Sequence, residues 1–286
     1  MELNWMIIVV LLEWFPIGCS RLDVFCKLPY CGINNLACNN NAKYEAMCPP
    51  NARIISMGKY RKSLLNAFNE FRNSTASGKQ KYLKAAAARM SRLSNSMDLE
   101  KLSRMAIKTC SPNKLCLSSP EFYYVGTNLG STYHDRLNKF EDLELMLWTI
   151  HDWTTYADNV DMKMVIYMPP FLEEIGTAKA LLLMADRNTH VGCSAMRFTG
   201  NHSVHHFIFM CAFSTDIFVK RPIYRMTSKP GTACKRLDPT YSALCAVGEN
   251  YNNNKPVPNA MVYGHTDLAL NVAMEEEEQQ YMEQKE

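Results

Sequence analysis

The chain has 286 residues, 47% of them hydrophobic, with a formal net charge of +3 at pH 7, enough apolar content to bury one sizeable core. Taking away the −2 of the first twenty residues (Glu2, Glu13) and the −5 of residues 271–286 (six Glu, one Lys) leaves residues 21–270 at about +10. This charge is spread as solvated surface, and no Lys/Arg cluster with interleaved aromatics marks a nucleic-acid site, so that class of partner is excluded.

Residues 5–17 form an apolar run followed by Gly18, Cys19 and Ser20, which predicts a signal peptide over residues 1–20. The run is shorter than the ~20 apolar residues a membrane span needs, so the mature protein is expected to lack a transmembrane segment and to be secreted. Cleavage would remove Cys19 and leave ten cysteines: Cys26, Cys31, Cys38, Cys48, Cys110, Cys116, Cys193, Cys211, Cys234 and Cys245. An even number suits disulfides in an extracellular domain, and the spacings are not those of a zinc ribbon or finger.

Four of these cysteines fall in a cysteine-rich extension over residues 21–54. Tyr60, Leu64, Leu65, Phe68 and Phe71 then recur at helical spacing and predict a helix over 58–71, ended by Ser74 to Gly78. A second helix is expected over 97–107, with Leu99, Leu102, Met105 and Ala106 inward. A strand with a glycine break is expected over 122–129, and a third helix, carrying Trp148 and Trp153, over 140–156. Residues 176–211 are the centre of the pattern: an apolar helical run at 181–184, then strands at 191–198 and 206–213 joined by a turn at Gly200 and Asn201. Phe207, Phe209, Cys211 and Phe213 alternate with period two, so they face one core, and Cys193 and Cys211 sit on neighbouring strands where a disulfide is plausible. Arg221 to Tyr224 leads into a loop closed by Cys234 and Cys245. Residues 251–286, polar and finally acidic, read as a disordered tail. The expected organisation is therefore a signal peptide (1–20), the extension (21–54), a main domain (55–225), a C-terminal disulfide loop (226–250) and the tail (251–286).

Few side chains carry chemistry on this reading. His205 and His206 are adjacent on a strand and point to opposite faces, so with His202 they read as turn or surface rather than as a metal cluster. His151 and Asp152 lie on the third helix without a nucleophile and read as helix surface. Asn73-Ser74-Thr75, placed just past a helix end, and Asn201-His202-Ser203, in the hairpin turn, are glycosylation sequons expected to be exposed.

Several segments, in one order, resemble the CAP superfamily of cysteine-rich secretory proteins, antigen 5 and pathogenesis-related proteins, and within it the insect venom-allergen, antigen-5-like branch. They are CGINNLACNNN with Cys48-Pro49-Pro50, FNEFRNSTASGK against the family's HNE-Y-R helix, AAARM, VGTNL against GEN-L, HVGCSAMRF, HFIFMCAFS and RPIY, spanning about residues 22–246. The resemblance implies an α+β fold, a three-layer α-β-α sandwich (the CAP or SCP fold) with a disulfide-rich N-terminal extension. It also implies the pairs Cys26–Cys38, Cys31–Cys116, Cys48–Cys110 and Cys193–Cys211, leaving Cys234 with Cys245.

Where the family holds a divalent cation it uses two His and two Glu, and by the resemblance all four are lost. The His between Cys110 and Cys116 is absent, and Thr127, Thr155 and Thr177 stand at the other positions, where a hydroxyl is a poor zinc ligand. Phe68 replaces the His of the helix motif, while Asn69, Glu70 and Arg72 remain; Glu70, lacking a base or metal partner, is expected to be a buried or capping carboxylate. The cleft is expected to be more apolar and less charged than its relatives', with no cofactor. The reading is a secreted, non-enzymatic binding protein, a monomer, that contacts an extracellular protein or lipid. The alternative is a cleft-based hydrolase, which the loss of the ligand positions disfavours.

Overall fold

The computed structural model describes residues 23–81, 83–111, 115–134, 139–200 and 204–263; the expected signal peptide, Asn201, His202 and residues 264–286 lie outside the described residues. Strands β5 (His190–Thr199) and β6 (His205–Phe213) pair antiparallel along their whole length, with Cys193 directly opposite Cys211. The sheet grows outward from this pair. Strand β4 (Gly126–His134) lies antiparallel to β6 on one side. On the other, β1 (Arg53–Ile55) runs antiparallel and β3 (Ser94–Asn95) parallel to β5.

The two-residue period of β6 divides the interior. Phe207, Phe209, Cys211 and Phe213 enter the larger core, while Ile208, Met210 and Ala212 face a second one. Helix α3 (Met97–Ile107) covers the second face with Leu99, Leu102, Met105 and Ala106. It starts where Ser96 accepts a hydrogen bond from the Leu99 N–H at 3.3 Å, with Asp98 and Glu100 favourably placed in its positive first turn. The helix lies so close to β5 that a Cβ on Gly192 would fall 2.1 Å from the Glu100 nitrogen, so only glycine fits there.

Helices α2 (Arg61–Ala76), α4 (Asp142–Thr155) and α6 (Ile175–Met184) cover the opposite face. Three layers result, as the sequence implied. Fully burying each aromatic ring of β6 contributes about 1.5–3 kcal/mol, so this seam is a main source of stability. Two side chains of α2 tie the layers together. Asn69 exchanges hydrogen bonds with the Leu93 backbone, and the wholly buried Arg72 gives five to the carbonyls of Ser91, Leu183, Ala185 and Asn188.

Five disulfides join Cys26–Cys38, Cys31–Cys116, Cys48–Cys110, Cys193–Cys211 and Cys234–Cys245, the pairs the resemblance implied. Cys26–Cys38 closes a loop within the extension, which contains the short helix α1 (Asp23–Cys26), and Cys31–Cys116 and Cys48–Cys110 fasten the extension to the segment after α3.

Three local expectations differ from what is seen. Helix α2 runs from Arg61 to Ala76, starting and ending later than the expected 58–71, and stops within the Ser74–Gly78 stretch expected to end it. The strand expected at 122–129 begins only at Gly126 and runs on to His134, because Phe122 and Tyr124 turn inward into separate clusters. Residues 251–263, expected to be disordered, pack on the domain. Tyr251 is 9% exposed, and β9 (Met261–Val262) pairs with β7 (Phe218–Val219). A further pair of short strands, β2 (Ala86–Ala87) and β8 (Met226–Thr227), holds the segment that leads to the last disulfide.

Candidate functional site

The positions where the family would hold a cation are not brought together as ligands. Thr127, second in β4, is exposed, and so is Thr155 at the end of α4, whose hydroxyl donates to the Asp152 carbonyl of its own helix at 2.7 Å. Thr177, in the first turn of α6, is only 2% exposed. Two solvent-facing hydroxyls and one buried hydroxyl do not fit a divalent ion, which takes imidazole or carboxylate donors, and no chemistry is assigned to one here.

Phe68 lies in the core with its ring edge-on to Phe213 at 5.8 Å and is 1% exposed. Glu70, expected to be buried or to cap, instead points to solvent from α2. His206 stacks on Phe198 with ring centroids 4.6 Å apart while His205 turns toward His134, which agrees with the opposite faces expected for them. His151 and Asp152 are exposed on α4. Asn73, expected past a helix end and exposed, sits inside α2, half-buried, and accepts a hydrogen bond from the Ala243 N–H at 2.9 Å. Its carbonyl oxygen is a strut to the C-terminal loop. Cys234, Cys245 and Glu249 bring ligand-type atoms together, but the two sulfurs are bonded to each other and offer no thiolate.

What the surface does offer is a groove of about 690 Å³ formed by α5 (Met162–Ile166), the loop after it and the start of α6, with Thr177 in its wall. Asp161 caps α5 by accepting from the Met164 N–H at 2.8 Å. The following Pro169-Pro170 pair cannot continue a helix, so the chain swings out before re-entering α6. The excursion is pinned at its base, where Met168 and the segment at Lys220 and Arg221 exchange backbone hydrogen bonds at 2.8 and 3.0 Å. Gly176 lets α6 approach the ring of Tyr156, which a Cβ would meet at 2.1 Å. Met164, Tyr167, Phe171 and Leu172 supply apolar wall; Asp161, Glu173 and Glu174 supply negative charge against the single cation Lys163, with Asn159 donating to Glu174.

Phe171, on the loop, and Ile175, the first residue of α6, are 60% and 80% exposed, large apolar side chains held in water by a segment with fixed ends. Carboxylates share the groove with its apolar wall. Apart from Thr177, its residues were not singled out from sequence. The signal was there in the run Met-Pro-Pro-Phe-Leu-Glu-Glu, which alternates from breaker to apolar to acidic outside any helical period. No helix among the described residues is long and apolar enough to cross a membrane.

The model of the cysteine-rich secretory protein family (CAP) matches residues 65–213. Tabinhibitin 7 of Tabanus yao is 25% identical over 234 residues, covering 81% of this chain and 89% of that protein. Venom allergen-1 of Aedes albopictus is 23% identical over 233 residues, covering 78% and 90%. Among solved structures, NaASP2 with Zn²⁺ superposes with a TM-score of 0.51 at 16% identity, over 69% of this chain and 99% of that one. BmVAL-1 does so at 0.50 and 17%, over 70% and 98%, so the likeness to both is one of fold.

Proposed function

Because the chain belongs to the cysteine-rich secretory protein (CAP) family, we propose that it acts outside the cell as a binding protein, not an enzyme, and that the groove beside Thr177 is its contact surface. The observation that carries this reading is the exposure of Phe171, on a loop whose base is hydrogen-bonded to the domain, and of Ile175, the first residue of α6. An apolar pair held out by a fixed scaffold loses little conformational freedom on binding and gains by burial. The carboxylates of Asp161, Glu173 and Glu174 around it favour a protein partner that presents apolar side chains flanked by Lys or Arg. Against a hydrolytic role, the three threonines supply neither nucleophile and base in contact nor a metal-activated water. The disulfide-fastened frame and the relatives' venom-allergen naming support an extracellular setting.

The test is Phe171→Asp with Ile175→Asp in the mature protein. The doubly substituted protein should keep its melting temperature, because both residues already face water, and should lose about tenfold or more in affinity for partners that the unsubstituted protein captures from extracellular fluid. Unchanged capture would place the contact surface elsewhere. Turnover of ester or peptide substrates by the metal-free protein would return the hydrolase reading.

A further inference from the structure

A second cleft, of about 410 Å³, shares no lining residue with the groove. Four arginines line it, Arg89, Arg187, Arg221 and Arg225, drawn from three separate stretches of chain, against a single carboxylate, Asp186. Three of these guanidinium groups are held in place but only partly used. Arg89 donates to Glu249 at 2.8 Å and to the Asn250 carbonyl at 3.1 Å, while its plane lies 4.1 Å from the centre of the Tyr251 ring. Arg187 donates once, to the Tyr251 carbonyl at 3.3 Å, and Arg221 once, to the Pro258 carbonyl at 2.7 Å. A guanidinium has five N–H donors, so each keeps several for a ligand. The Arg225 guanidinium makes no hydrogen bond or ion pair to the described residues and is exposed.

Asp186, the one lining carboxylate, can offset at most one of the four charges: its carboxyl is pushed up to about 6 by burial, against the nearby Arg72 and Arg187 charges, and it accepts from the Arg225 backbone N–H at 3.5 Å. Two residues at the cleft, Lys220 beside Arg221 and the lining Asn252, hold left-handed backbone conformations with φ of +63° and +54°. Such positions persist only where the surrounding structure enforces them. Between the arginines lie the ring of Phe218, the Pro222 ring and the Asn250 amide, apolar faces and neutral hydrogen-bonding groups of the kind that pack on a sugar ring.

We propose that this cleft binds a sulfated glycan chain of the extracellular matrix. Cations spread around an open cleft, instead of converging on one point, match a ligand that carries several separated oxyanions. Arginine suits sulfate because its planar fork can make two parallel bonds to one group. The positive body of the molecule, about +10 over residues 21–270, draws such a polyanion in.

The experiment is retention of the full mature protein on immobilised heparin in a salt gradient, followed by titration with a short heparin oligosaccharide. The protein should bind with an affinity that falls steeply with salt. Arg221→Glu with Arg225→Glu should weaken binding at least about tenfold, whereas Arg53→Glu with Lys62→Glu, an equal charge change on exposed residues elsewhere, should weaken it less than about threefold. Both pairs are exposed, and an unchanged melting temperature establishes that each variant is folded; Arg225→Glu alone, which breaks no side-chain bond, is the reserve. Equal losses from the two pairs would reduce the effect to net charge and overturn the proposal. So would binding to desulfated heparin as tight as to heparin, or an Arg221- and Arg225-dependent binding to phosphatidylserine vesicles in the absence of heparin binding.

Discussion

Arg72 shows how one side chain can fix a fold by bonding backbone carbonyls. Burial lowers its pKa to about 10, which still leaves it protonated at neutral pH, and its charge is spread over four backbone carbonyls. Arg72→Ala should cost about 3–5 kcal/mol in urea denaturation, because those carbonyls would be left buried and unpaired. Asp216 presents the opposite case. Burial pushes its carboxyl up to about 7, against a hydrogen bond from the Ile217 N–H that acts to lower it. A carboxyl with a raised folded-state pKa holds its proton after the unfolded chain has lost it, so its favourable contribution is complete below about pH 4 and disappears as pH rises toward 7. Asp216→Asn should therefore stabilise the protein at pH 8, by on the order of 1–3 kcal/mol, and leave it nearly unchanged at pH 4; melting curves at the two values check this. Rebuilding a cation site by Thr127→Glu, Thr155→Glu and Thr177→His should fail. Thr177 is 2% exposed, so the imidazole should overpack its site by about 1–3 kcal/mol, and added zinc should not restore the loss in a thermal shift assay.

At the scale of elements, legibility followed the strength of the local pattern. Helix α3 was readable end to end because Ser96 caps it and its apolar face repeats cleanly. The two central strands were readable because a period-two row of aromatics has one sensible face. Strand β4 was misplaced by four residues, from 122 to Gly126, because Tyr123 and Tyr124 have strand-like composition yet pack around Tyr30 and Phe218. The glycine taken for a break in the strand is its first residue, placed against Leu182 and the Thr215 carbonyl, which a Cβ would meet at 2.8 Å. Disulfide loops of different length should differ in cost: losing Cys31–Cys116, with a separation of 85, should destabilise by about 4–5 kcal/mol, and losing Cys234–Cys245, with a separation of 11, by about 3. Serine pairs at each site, compared by urea denaturation, would measure the order.

On the scale of the whole molecule, long-range placement decided what sequence could not show. The arginine cleft draws on residues 89, 187, 221 and 225, which no local pattern unites, and the groove depends on a loop whose shape follows from its anchorage at Met168. The polar stretch after 250 looked expendable because its composition is poor in apolar residues. In the fold, Tyr251 donates to the Arg89 carbonyl at 3.1 Å and Asn253 to the Arg187 carbonyl at 2.8 Å, so composition was outweighed by a few long-range bonds. Ending the chain after Asn250 should lower the melting temperature by several degrees and expose Phe218, which dye binding would detect.

The disulfide connectivity also sets a timetable for biosynthesis. Cys26–Cys38, Cys31–Cys116 and Cys48–Cys110 all lie within residues 26–116, whereas β5 and β6 end 97 residues after Cys116, at Phe213. With elongation at ~5–20 residues per second, the N-terminal cysteines are available to oxidise for roughly 5–20 s before the sheet's central pair has been made. During that interval β1 has no partner, since its only neighbour is β5. The three N-terminal bridges thus have their cysteines in place before the strand that holds β1 exists.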